Sequence, residues 1–183
     1  MLERIGFDRF VKLDWLNETV KFYLDFKKAY LYEDNPDIKV KDANKTVVIG
    51  EKTGIEDTER RNTNQEDNKR IRSILDKYLA GQVGGDNRRK TINILIRTWV
   101  NVDSEHKELR KRALYLFKVA DENERIALHW CMLMLAYPVF LDITATIGKL
   151  LSLQDGFSLG MVRRRIYEIW GERSTLTHAI NKI

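Results

Sequence analysis

The chain reads as an all-α protein: a multi-helix bundle with a C-terminal helix-turn-helix and at most one short β-hairpin. Three observations carry that expectation. Only Pro36 and Pro138 interrupt 183 residues, and proline is the residue helices exclude most strongly. Apolar residues recur three and four positions apart through most of the chain, which builds one buried stripe per helix. Serine, aspartate and glycine fall where those stripes begin and end, as capping residues do.

The spacing predicts a first helix over 14–32, with Leu16, Val20, Tyr23 and Leu24 on its inner face. Asn35-Pro36-Asp37 stops it, because proline disfavours helical geometry in the residue before it. Thr46-Val47-Val48-Ile49, ended by Gly50, is the one strand signal; it needs residues 38–40 as a hairpin partner, or the helices, to be stable. Residues 51–68 are almost entirely polar and read as a linker or exposed loop. Thr63 and Glu66 have capping-box spacing, so a helix is expected to start there and to bury Ile71, Ile74, Leu75 and Tyr78 before Gly81 ends it.

A helix over 87–100 should turn Ile92, Leu95, Ile96 and Trp99 inward. Ser104 is the expected cap of the next, whose inner face would be Leu109, Ala113, Leu116, Phe117 and Ala120. Asp121 with Glu124 forms a second capping-box pattern. The helix after it is apolar on every side over 126–136, which belongs in the middle of a bundle. Pro138 suits the first turn of the following helix, which carries Phe140, Ile143, Ile147 and Leu150. These elements divide the chain into an N-terminal helix with a β or loop region (1–62), a helical core (63–156) and the helix-turn-helix (157–183). No internal repeat is evident.

Composition narrows the function classes. A net charge of +5 and a pI near 9.2 favour polyanionic partners without dictating fold. The lone Cys131 excludes an internal disulfide and is expected to act as a small buried hydrophobe in a reducing, cytoplasmic setting. No basic-then-apolar leader opens the sequence. The longest uncharged apolar stretch, 126–141, falls short of the roughly 20 residues a membrane helix needs, so no membrane partner is expected.

The functional signal lies in the last residues. Ser158 is a natural N-cap for a helix running to Trp170, with Val162, Ile166 and Ile169 sharing one face. Gly171 punctuates the chain, and Ser174 is the expected cap of a second helix with Leu176, Ala179, Ile180 and Ile183 inside. Ser174, Thr175, Thr177, His178 and Asn181 are then left for a ligand. Two short amphipathic helices joined by a glycine turn match the helix-turn-helix plan. A recognition helix offers amide and hydroxyl groups to base edges, while phosphates take the positive charge; Asn181 suits adenine, and the helix start suits a phosphate. Residues 157–183 carry five basic side chains, Arg163, Arg164, Arg165, Arg173 and Lys182, against Glu168 and Glu172, a net +3. Consecutive helical residues fan out about 100° apart, so Arg164 should point away from the core, Arg163 sideways, and Arg165 along the apolar edge. Arg88-Arg89-Lys90, beside the Gly84-Gly85 turn, is expected to form one local basic cluster. A winged variant would need sequence beyond Ile183, so either the wing is missing or the chain is a fragment.

The all-apolar helix leading into Ala136-Tyr137-Pro138-Val139-Phe140-Leu141-Asp142, and the ending Trp170-Gly171-Glu172-Arg173-Ser174-Thr175-Leu176-Thr177, resemble the BrxA proteins of BREX phage-defence systems. The Ser-Thr-Leu-Thr helix start also resembles winged-helix regulators. The resemblance implies a small helical DNA-binding protein without catalysis, serving defence or regulation; it assigns no individual residue.

The common catalytic patterns are not found in the sequence. His106, His129 and His178 are widely separated, and none belongs to a zinc-binding His-Glu-x-x-His. There is no phosphate-cradling Gly-x-x-x-x-Gly-Lys and no Gly-x-Ser-x-Gly elbow. His129, inside an apolar helix, is expected to be a hydrogen-bonded core residue. The leading expectation is therefore a non-enzymatic protein that binds nucleic acid, duplex DNA first, with no cofactor. An adaptor that docks protein partners or a second copy is the alternative, motivated by Trp15, Trp99, Trp130 and Trp170. A metal-dependent nuclease with Asp86 as its first carboxylate is the third reading.

Overall fold

A computed structural model describes residues 10–33 and 57–182, with side chains at 10–27 and 68–182. The expected hairpin (38–40 with 46–49), the Pro36 stop and Ile183 lie outside the described residues. Within them the chain forms eight α-helices and no strand: α1 (Leu13–Glu33), α2 (Asp57–Leu79), α3 (Gly85–Trp99), α4 (Lys107–Val119), α5 (Glu122–Ala136), α6 (Pro138–Leu151), α7 (Leu159–Trp170) and α8 (Ser174–Ile180). A 3-10 turn at Ser104–His106 leads into α4. The fold is an all-α multi-helix bundle. Among the described residues, no helix is long and apolar enough to cross a membrane.

Helices α1, α3 and α5 pack on one another, with α2 against α1 and α3, and α4 against α5. From there α6 lies on α5, α7 on α6 and α8 on α7. The boundaries follow local chemistry. Asp121 and Glu124 close a reciprocal capping box on α5, at 2.8 and 3.0 Å. Pro138 occupies the first turn of α6, where its missing N–H is of no consequence. Gly81 and Gly171 take positive φ, 82° and 73°, a conformation that strains any residue with a Cβ.

The centre of the bundle is polar and aromatic at once. His129 of α5 and Trp99 of α3 are completely buried. The Trp99 indole N–H donates to His129 Nδ1 at 3.0 Å, which leaves the proton on Nε2 to donate to Asn17 Oδ1 of α1 at 2.9 Å. Phe117 of α4 meets both rings edge-on, at centroid distances of 6.4 and 5.7 Å. Four helices therefore converge on one imidazole. Around it the apolar core includes Leu16, Val20, Ile71, Leu75, Leu95, Met132 and Ile143.

Several helices sit differently from the reading of their apolar stripes. Helix α2 starts at Asp57, not at Thr63, so the segment expected as a linker is helical from residue 57. It lacks an apolar period and much of it is Asp, Asn or Thr, but it extends a helix already anchored by Ile71, Leu75 and Leu79. Ile74 is exposed instead of buried. Ser104 begins the 3-10 turn and does not cap α4. Leu109 and Leu116 of α4, expected inside, are each 48 % exposed. The helix is rolled about 60° toward Arg110 and Leu114, because Arg110 binds the Val100 carbonyl at 2.7 Å and lies over the Tyr23 ring.

Helix α5 is the largest departure. It buries His129, Met132, Leu133 and Ala136 but leaves Ile126, Trp130 and Cys131 exposed. Among the described residues it is thus not enclosed, and Cys131 is not a buried hydrophobe. An all-apolar sequence does not say which face turns inward; the bonds of His129 decide it.

Burial and the neighbouring Arg125 charge hold His129 down from 6.5 to about 4. The neutral ring belongs to the folded state, whereas the unfolded chain takes up a proton near the ordinary value. Stability from this site is therefore complete above pH 6.5, drains as pH falls toward 4, and is lost below it. The expected loss is about 3 kcal/mol. Denaturant unfolding across that window should show it, and His129→Gln, which cannot titrate, should lose correspondingly less between the same two pH values.

Candidate nucleic-acid interface

The C-terminal pair α7 and α8 is held by bonds that sequence spacing alone does not specify. Ser158 Oγ accepts from the Met161 N–H at 3.3 Å and caps α7 as expected. At the other end, the Gly171 N–H closes the helix on the Tyr167 carbonyl at 2.8 Å. Arg173 Nη2 donates to the Trp170 carbonyl at 2.8 Å, a cation placed at the negative end of a helix. The Trp170 indole N–H donates to Asp142 Oδ2 at 2.8 Å and docks α7 on α6.

Between the two helices, the hydroxyls of Tyr167 and Thr177 are in direct contact. Thr177 Oγ1 donates to the Arg173 carbonyl at 3.3 Å, so the phenol is the donor to Thr177. These anchors explain why Ile169, expected on the inner face, is 62 % exposed while Val162 and Ile166 are buried. The helix is rolled toward Tyr167 and Trp170, whose polar tips have fixed partners.

Helix α8 has seven residues. Leu176, Ala179 and Ile180 are buried beneath it, and Ser174, Thr175, His178, Asn181 and Lys182 are exposed. Of the expected ligand-facing groups, these five and Arg164 of α7 are exposed, as is Arg165 beside them. Three others are diverted. Thr177 is half-buried and engaged with Tyr167 and Arg173, so its hydroxyl is not available as read. Arg173 is half-buried on the end of α7 and itself occupies the N-cap position of α8; Ser174 is the first helical residue and makes no cap. Arg163 is half-buried, with Nη2 donating to Asn181 Oδ1 at 3.3 Å and Nε buried with no partner among the described residues. A bidentate contact to adenine uses both amide atoms, so Asn181 Oδ1 would accept from the base on its second lone pair while Arg163 holds the first. Arg165 is exposed.

Arg88-Arg89-Lys90 does not act as one free cluster. Arg88 is ion-paired to Asp76 of α2 at 2.8 Å, Arg89 lies 3.8 Å from Asp86, and Lys90 is exposed. Their helix packs on α1, α2 and α5, whereas α7 packs on α6 and α8. Asp86, the first carboxylate of the nuclease reading, is thus beside a cation. Among the described residues, no group of three or more His, Cys, Asp and Glu side chains is placed to hold a metal ion.

Sequence reasoning missed an apolar groove of about 180 Å³ beside this region. Phe10, Leu16, Ile126, Trp130, Leu133 and Phe140 line it, with Lys182 on its margin. Trp130 is 44 % exposed there and meets Phe140 edge-on at 5.6 Å, whereas Trp15 and Trp99 are buried and Trp170 is half-buried. The all-round apolar pattern of α5 was the available signal: a helix with no polar side that is not enclosed must show an apolar flank.

Removing the phenol hydroxyl in Tyr167→Phe should cost about 1 kcal/mol in denaturant unfolding. It should also speed amide exchange across 174–180, where local opening loses the same contact.

Comparison of the chain with protein families, with characterised proteins and with solved structures finds no match to any of the three.

Proposed function

We propose that this protein binds nucleic acid, duplex DNA first, through the α7–α8 pair acting as a helix-turn-helix, and that it does so without catalysis. The observation carrying this reading is the division of α8. Its apolar residues are spent on packing, while Ser174, Thr175, His178, Asn181 and Lys182 stay exposed beside Arg164 and Arg165. Hydroxyl, imidazole and amide groups on one short helix provide donors and acceptors for base edges. The flanking cations provide the sequence-independent attraction to phosphates. The BrxA resemblance agrees with this reading and extends it to phage defence or regulation.

A second reading, an adaptor that docks a protein partner or a second copy of the chain, is favoured by exposed Trp130 within the apolar groove. Tryptophan is among the residues enriched at the energetic centres of protein interfaces. Sedimentation over a concentration series, with Trp130→Arg as the control, checks the second-copy form of this reading: a wild-type monomer throughout excludes it.

Arg164→Glu with Lys182→Glu tests the leading reading without touching the Arg173 contact that closes α7. Gel-shift affinity for duplex DNA should fall at least tenfold. The slope of log affinity against log salt should become shallower by roughly 2, at about 0.9 for each phosphate the variant no longer neutralises. Unchanged affinity in this variant removes the reading.

A further inference from the structure

A second concentration of unused polar chemistry lies where α3 turns into α4. The turn through Asn101, Asp103 and Ser104 encloses a cavity of about 240 Å³ together with Tyr23 of α1, Asn68 of α2, and Lys107 and Arg110 of α4. Arg110 is held in place by two contacts: Nη1 donates to the Val100 carbonyl at 2.7 Å, and the guanidinium lies 5.2 Å above the Tyr23 ring. Neither contact neutralises its charge. Among the described residues no carboxylate pairs with it, and its Nε is buried with no partner. One turn earlier, Lys107 is exposed and likewise has no carboxylate partner among the described residues. The remaining polar lining is neutral (Asn68, Asn101, Ser104) except for Asp103.

A half-buried cation without a counter-charge calls for an anion from outside, since charge in a partly desolvated setting is costly unless paired. A fixed guanidinium beside a mobile ammonium matches a phosphate group, which can take several donors at once. The carboxylate of Asp103 opposes a bare anion but accepts readily from hydroxyl groups, and the cavity is larger than one phosphate. We propose that this cavity binds a phosphate group borne on a small hydroxylated body, as in a sugar phosphate or nucleotide unit. Arg110 and Lys107 hold the phosphate, Ser104, Asn68 and Asn101 add hydrogen bonds, and Asp103 accepts from the hydroxyls. The site does not depend on the α7–α8 reading.

Titration calorimetry with ribose 5-phosphate and with inorganic phosphate, at constant ionic strength up to millimolar ligand, tests the proposal. Saturable binding is expected for both, tighter for the sugar phosphate. Lys107→Ala, an exposed position that leaves the Arg110 contacts intact, should weaken both by about tenfold or more. Asp103→Asn should tighten inorganic phosphate while erasing the advantage of the sugar phosphate, a pattern that general surface binding does not produce. Absence of saturable binding for both ligands, or unchanged affinity in Lys107→Ala, overturns the proposal. Duplex DNA titrated against the same variant separates the two sources: a parallel loss assigns the site to a nucleic-acid phosphate, an unchanged affinity to a free ester. The Arg164→Glu, Lys182→Glu variant should keep full ribose 5-phosphate affinity, so failure of either reading is visible without the other.

Discussion

The imidazole of His129 is the constraint from which the rest of the architecture follows. It is fully buried and accepts from Trp99 while donating to Asn17. A buried polar ring must have both nitrogens satisfied, and this one is satisfied by residues from two other helices. One tautomer and one rotation of α5 meet that demand. Apolar packing tolerates sliding and rolling of helices by small amounts; two directed hydrogen bonds about 3 Å long do not.

Orientation then passes outward. With α5 rotated to present His129, Trp130 and Ile126 fall about 60–100° around the helix from it and remain exposed. Pro138 ends α5 and starts α6, α6 offers Asp142 to Trp170, and α7 offers Tyr167 to Thr177. Each joint is made by an amphipathic side chain whose apolar body packs while its polar tip finds one acceptor. The same device sets α4, where Arg110 over Tyr23 displaces two leucines to the surface. The C-terminal pair is therefore docked on the bundle through α6, with the exposed polar groups of α8 on its outer side.

Two surfaces of opposite character meet at the C-terminus. The outer side of α8 is polar and bordered by cations, and the groove beside Trp130 is apolar. Lys182 belongs to both, as an exposed cation after α8 and as the charged margin of the groove. A polyanion on α8 and an apolar partner in the groove would share that residue, so the nucleic-acid and adaptor readings concern adjoining surfaces of one molecule. The cavity at Arg110 lies elsewhere, against α1, α2 and the α3–α4 turn.

Local chemistry was legible from the residues alone. The all-α class, the Asp121–Glu124 box, Pro138 at a first turn, Gly171 at a helix end and Ser158 as a cap follow from effects that act within a few positions of the chain, and His129 as a bonded core residue from its place in an apolar run. Which way each helix rolls was not legible, because the deciding contacts join residues far apart: Arg110 with Tyr23, Trp170 with Asp142, Tyr167 with Thr177. An apolar stripe constrains roll only to within tens of degrees, and that margin separates a buried Ile169 from an exposed one, or a free Thr177 from an engaged one. The sequence by itself determined the helical class and most helix ends, though not the start of α2, and which residues can be buried. Only the tertiary structure decided which of them are, because hydrogen-bond partners for aromatic and charged tips come from other helices.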